Sequence, residues 1–193
     1  MDRYLLRRII VVVLLFTLLI FGFTWTIRKI TSRPTTKITT PKIVLSDLAN
    51  SSQTVKLVTE GKIVGNETHR ELRITISRSA RTLEIIEGYE NTVVSRQVFP
   101  NNQDSYQTFL SALQDAGFTK SRIVHTGVIP QGTCPTGQRY WYQIVDGIDY
   151  KQSLWNTSCS SAQGTFAGKS STVSWLFKNQ IPDYQKLVSG VQL

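Results

Sequence analysis

Ile9 to Ile27, IIVVVLLFTLLIFGFTWTI, is a run of nineteen residues without a charge, with arginines before it and Arg28-Lys29 after it. As a helix rising about 1.5 Å per residue, it approaches the roughly 30 Å thickness of a hydrocarbon core. The competing reading is a cleaved signal peptide, since Arg3, Arg7 and Arg8 before an apolar run look like its basic leader. No small-x-small cleavage pattern follows, and Trp25 suits an aromatic anchor at the lipid boundary. The expected arrangement is a basic cytoplasmic tail (1–8), an uncleaved transmembrane signal anchor (9–27), a juxtamembrane linker (28–45) and an extracytoplasmic domain (46–193).

The formal charge of +9 has to be located before it is interpreted. Residues 1–42 hold eight basic side chains against Asp2 alone, and the rest of the chain holds fourteen basic against twelve acidic. The basicity belongs to the flanks of the apolar run, where anionic headgroups attract it. The expected partner is therefore a lipid bilayer, with no nucleic acid. Arg28, Lys29, Arg33, Lys37 and Lys42 outnumber the three N-terminal arginines, which taken literally would place the C-terminal portion inside, but that rule weakens for long translocated domains. A cysteine pair placed to form a disulfide, a Ser/Thr-rich surface and no unpaired thiol favour export. The expected topology is single-pass, N-terminus inside and C-terminal domain outside.

Beyond the spacer TSRPTTKITTPK (residues 31–42), the hydrophobic pattern has two periods. Leu72, Ile74 and Ile76 alternate with Arg73, Thr75 and Ser77, the signature of a strand with one wet face. Leu83 and Ile85 continue it, a GYEN turn (88–91) leads to the returning strand TVVSRQVF (92–99), and Val55, Leu57 and the Ile63-Val64 piece precede it. Together these predict an antiparallel meander. Tyr106, Phe109, Leu110 and Leu113 then make a helical stripe. Asn101 or Asn102 is the expected cap, Gly117 the left-handed residue that ends it, and Phe118 the contact back to Leu113. In the C-terminal region Ser171 is the expected cap of a helix presenting Val173, Leu176 and Phe177. Pro182 stops it and opens a short helix through Tyr184, Leu187 and Val188. The fold class is α+β: an antiparallel sheet with helices on one face, preceded by one N-terminal transmembrane helix.

The two cysteines, Cys134 and Cys159, frame the stretch CPTGQRYWYQIVDGIDYKQSLWNTSC. If Asp146-Gly147 is a two-residue hairpin turn, Val145 faces Ile148 and cross-strand partners have numbers summing to 293. Cys134 and Cys159 satisfy that sum, at a non-hydrogen-bonded position where Cα atoms come within disulfide range. Pro135 and Gly137 interrupt the ladder, and a bulge would shift the register. The pair is still placed to close the hairpin's open end, which predicts a structural disulfide. Zinc binding by these cysteines with His69 and His125 is the alternative, without the CxxC or HxxxH spacing such sites use. In the same register, Tyr140, Tyr142 and Ile144 share a face with Trp155, and Trp141 and Val145 share the other with Tyr150 and Leu154. Either the helices cover one face and the other belongs to the core, or one aromatic face is open to a glycan or a surface protein. The candidate binding residues are Trp141, Tyr142, Tyr140 and Trp155.

Catalytic patterns are scarce. None of the GxSxG, SxxK, HExxH, Walker or GxGxxG motifs occurs, and there are two histidines. No catalytic residue, metal site or cofactor is expected. The sequons at Asn50, Asn66 and Asn156 carry little weight in a chain so rich in serine and threonine.

The segments YENTVVSRQVFPNNQDSYQTFLSALQDAGFTK, GTCPTGQRYWYQIVDG, LWNTSC, GTFAG and LFKNQIPDY together resemble a group of uncharacterised single-span exported proteins of ultra-small candidate-phylum bacteria. The resemblance covers most of residues 50–188 and implies an envelope protein of a host-attached bacterium. It assigns no catalytic or binding residue. The expected function is non-enzymatic: a membrane-anchored domain that binds or scaffolds another cell-envelope component. Two alternatives are a cell-wall or glycan-processing enzyme with a carboxylate pair, and an accessory subunit of a secretion or pilus assembly. Glu84, Glu87 and Glu90 are the carboxylates gathered near one hairpin, and they read as solvated strand and turn residues.

Overall fold

The computed structural model describes Leu14, Thr17, Leu18 and residues 43–124, 128–160 and 164–193. Contacts divide the chain into two units, Met1–Lys42 and Ile43–Leu193. In the first, Leu14, Thr17 and Leu18 are helical and exposed, and the Thr17 hydroxyl donates to the Leu14 carbonyl. The rest of the expected 9–27 span lies outside the described residues. Among the described residues no helix is long and apolar enough to cross a membrane.

The second unit is α+β. Six antiparallel strands form one sheet: β1 (Thr54–Glu60), β2 (Arg70–Ile76), β3 (Ala80–Glu87), β4 (Thr92–Pro100), β5 (Arg139–Asp146) and β6 (Asp149–Thr157), in the spatial order β4-β3-β2-β1-β5-β6. The first four strands are the expected meander. The Ile63-Val64 piece is not a strand: both side chains are exposed in the β1–β2 loop, and the Ile63 amide donates to the Pro135 carbonyl.

Alternation along the strands divides the sheet into two faces. Val55, Leu57, Ile74, Ile76, Leu83, Tyr142 and Ile144 point to one side, into a core shared with a 3₁₀ turn (Leu45–Asn50) and the helices α1 (Gln103–Asp115) and α3 (Ser170–Asn179). A four-residue helix, α2 (Pro130–Thr133), precedes β5, and another, α4 (Tyr184–Leu187), follows α3. Helix α1 buries the predicted stripe of Tyr106, Phe109, Leu110 and Leu113. The Asn102 side chain accepts from the Ser105 amide at its start. At its end, Gly117 takes φ +78°, its amide bonds to Gln114, and the Phe118 amide returns to the Leu113 carbonyl. This is a complete Schellman ending. The helix α3 starts one residue earlier than Ser171, with Lys169 at its cap and no side chain capping it. Asp183 takes a left-handed φ of 53° just before α4 and does not cap it with its side chain.

The β5–β6 hairpin differs from the predicted register. Its turn residues are Gly147 and Ile148, between the facing pair Asp146 and Asp149. Gly147 has φ +61° and Ile148 points into solvent, the arrangement of a type II′ turn, which needs glycine first. A bulge then moves the pairing so that Ile144 faces Gln152, Trp141 faces Trp155 and Tyr142 faces Leu154. The extra residue transfers Trp155 from the face of Tyr142 to the face of Trp141, and Leu154 the other way. The disulfide between Cys134 and Cys159 is present all the same, with Cα atoms 5.8 Å apart. It does not close a continuous ladder: Cys134 sits at the end of α2, and the bond ties that helix to the segment leaving β6.

Candidate functional site

Helices α1 and α3 pack on one face of the sheet. On the other, three successive outward positions of β1 build a graded surface, each step about 6.6 Å along the strand. Lys56 lies between Thr75 of β2 and Gln143 of β5. Val58 lies between Arg73 and Trp141, and Glu60 between Glu71 and Arg139. A row with a lysine, a row of valine and tryptophan bordered by Arg73, and a row with two carboxylates thus follow one another. Above them is a depression of about 270 Å³, walled by His69, by the turn carrying Tyr89 and Asn91, by Gln131 of α2 and by Tyr150 of β6.

The carboxylate row is built from the inside. Glu60 and Glu71 face each other across two strands, which would repel if both were left alone. Arg139 offsets this. It is fully buried, its Nε donates to Glu60 at 3.1 Å, and its other nitrogens donate to the carbonyls of Cys134 and Gly61. The disulfide holds the first of those carbonyls in place, so the covalent link and the ion pair act on the same point. Glu71 accepts from Arg73 at 2.6 Å; burial nevertheless pushes its carboxyl up from the usual range, against the pull of Arg73. Arg73 also reaches Asn91 at 3.2 Å and Glu84 at 3.9 Å, and Glu84 takes Arg96 at 2.7 Å.

His69 is 2% exposed and stacks on Tyr89 with ring centroids 4.1 Å apart. Its Nδ1 is 3.0 Å from the Lys62 carbonyl, which can only accept, so the proton sits on Nδ1. Nε2 is then left 3.7 Å from a Glu60 oxygen. The Tyr89 hydroxyl donates to the Val64 carbonyl, and the Tyr89 amide donates to the Asn66 side-chain oxygen, so the wall around His69 is pinned.

Lys56 is in a different condition. No carboxylate lies within ion-pair distance of it among the described residues, and its ammonium stands 5.9 Å from the centre of the Tyr150 ring. Burial, and then the neighbouring Arg73, draw its pKa down from the usual lysine value, opposed by Glu84 and Glu71.

Of the four aromatic residues singled out in the sequence, Trp141 lies in the floor of the depression. Trp155 faces it across the hairpin but is 8% exposed, covered by Gly164, on which a Cβ would lie 2.4 Å from the indole. Tyr142 belongs to the core: it is fully buried, its ring stacks on Phe166 at 3.8 Å, its hydroxyl bonds to Ser170, and desolvation pushes its pKa up to about 12. Tyr140 packs against the same core and donates its hydroxyl to Gln138 at 2.7 Å. The four therefore do not form one aromatic platform. Tyr140 and Tyr142 point toward the helices, Trp141 and Trp155 away from them.

The cysteine sulfurs are bonded to each other, so neither is available as a zinc thiolate, and His125 lies outside the described residues. Among the described residues no group of three or more His, Cys, Asp or Glu is placed to hold a metal ion. The charged members of the depression, Lys56, Glu60, Glu71 and Arg73, and Arg139 buried beneath Glu60, are not distinguished in the sequence, because period-2 charges on a strand read equally well as a solvated face. No protein-family model and no curated protein matches the chain.

Proposed function

We propose that the protein is a membrane-anchored, extracytoplasmic, non-enzymatic domain that captures a polar component of the cell envelope of a bacterium. Its binding surface is the sheet face opposite α1 and α3, centred on Trp141. The observation that carries this reading is the depression itself: one aromatic ring and one valine at its floor, with carboxylates on one side and a lysine on the other. Such a mixture of a small apolar floor and a few placed polar groups is what ligand sites are made of. The uncharged run at 9–27 supports the anchor, and the disulfide supports an oxidising compartment.

Trp141→Ala in the full chain tests the reading. Crosslinking in membranes followed by mass spectrometry should lose the captured partner while the melting temperature stays within a few degrees of the parent. Loss of the fold in this variant would return Trp141 to a purely structural role.

One observation favours a second reading. Glu60 and Glu71 are directly opposed in a concave site, and facing positions of an antiparallel pair hold Cβ atoms about 4.5–5.5 Å apart. Glycan hydrolysis uses a pair of carboxyl groups flanking the scissile bond, a role these two facing side chains would fill. Under that reading a bound glycan is cleaved, and Glu71→Gln abolishes cleavage without abolishing binding. Under the binding reading the glycan is recovered intact.

A further inference from the structure

We infer that the depression is a subsite for an acidic saccharide, with the sugar ring on Trp141, its hydroxyls on Glu71 and Arg73, and its carboxylate on Lys56. This rests on the binding reading above and names the chemistry of its ligand.

The floor and walls select for a sugar. The apolar floor is small, formed by Val58 and the Trp141 ring, and it is bordered on both sides by charged groups. An extended apolar ligand would leave those charges desolvated and unpaired, which is costly. A polyanion would meet Glu60 and Glu71. A pyranose has one face of C–H groups that lies on an indole, and a rim of vicinal hydroxyls that each donate and accept. Planar carboxylate and guanidinium groups suit such hydroxyl pairs, because each presents two parallel hydrogen-bonding atoms. Glu71 and Arg73 are already locked together at 2.6 Å, so they meet the ligand without first being ordered. The volume of about 270 Å³ lies just under the roughly 300–1,000 Å³ of sites for drug-sized ligands, room for one or two rings.

Lys56 adds the requirement for an acid. Arg73 and Arg139 are neutralised by Glu71, Glu84 and Glu60, whereas Lys56 has no such partner among the described residues. It stands one alternation along β1 from Val58, about 6.6 Å from the ring position. A carboxylate on the sugar reaches it while the ring stays on Trp141. The partial loss of lysine basicity on burial agrees with this, since an incoming anion restores the charged form.

The test is calorimetric titration of the full chain, in a detergent without a sugar headgroup, with digalacturonate and with its neutral dimethyl ester. The parent is expected to bind the acid about tenfold or more tightly than the ester, the range of one charge-assisted hydrogen bond. Lys56→Gln should erase that preference, Lys56→Arg should retain it, and Trp141→Ala should weaken both ligands. Equal affinities for acid and ester, or a preference that survives Lys56→Gln, overturn the role of Lys56. Absence of binding by either saccharide overturns the proposal. If Trp141-dependent capture in membranes then persists, the broader binding reading stands without it; if that capture is absent too, both fall.

Discussion

Arg139 is the residue on which the sheet face opposite α1 and α3 depends most. It is fully buried with its charge, and it is satisfied by one carboxylate and two carbonyls. A buried ion pair of this kind need not stabilise relative to a well-packed apolar pair, but removing one partner strands the other. Arg139→Met leaves Glu60 opposite Glu71 with no cation beneath it, and should cost about 3–5 kcal/mol in urea unfolding. Adding Glu60→Met should recover part of that loss. Recovery stays partial because the carbonyls of Cys134 and Gly61 remain without their donor. A single variant that loses less than about 1 kcal/mol would mean that Glu60 is served by water or by His69 instead.

At the level of elements, the edges of the sheet are treated differently. β4 is an open edge, with Val94 and Val98 exposed and charges at Arg96. β6 is partly closed by the segment 164–166: the Trp155 amide donates to the Thr165 hydroxyl, and the Phe166 amide donates to the Trp155 carbonyl. Gly164 makes this approach possible, because a Cβ there would stand 2.2 Å from the Trp155 carbonyl oxygen. Gly164→Ala should therefore destabilise by about 1–3 kcal/mol and shift the indole signal of Trp155 in NMR. An alanine variant as stable as the parent would show that the segment does not seal β6.

The same elements show what a sequence can disclose. Helix α1 was legible to its last hydrogen bond, since Asn102, Gly117 and Phe118 act within a few residues of the positions they complete. The meander was legible from alternation. The hairpin register was not, because a single bulged residue reverses the face of everything beyond it and leaves no mark in composition. The disulfide was expected on a register sum that the bulge invalidates, yet the bond forms because α2 carries Cys134 back toward the end of β6. Trp141 was selected as one of four aromatics, and its true neighbours, Lys56, Arg73 and Glu60, come from strands more than sixty residues away in the chain.

The whole molecule carries an apolar N-terminal run, an oxidised cysteine pair and a sheet with one face under α1 and α3 and the other holding a charged depression. The second face is the proposed working surface. Photo-crosslinking in intact membranes tests that most directly, with the reactive group placed at Gln131 on the rim of the depression or at exposed Ser111 on α1. A discrete adduct is expected from position 131 and none from position 111. Adducts confined to position 111, or equal from both, would show that the working surface lies elsewhere.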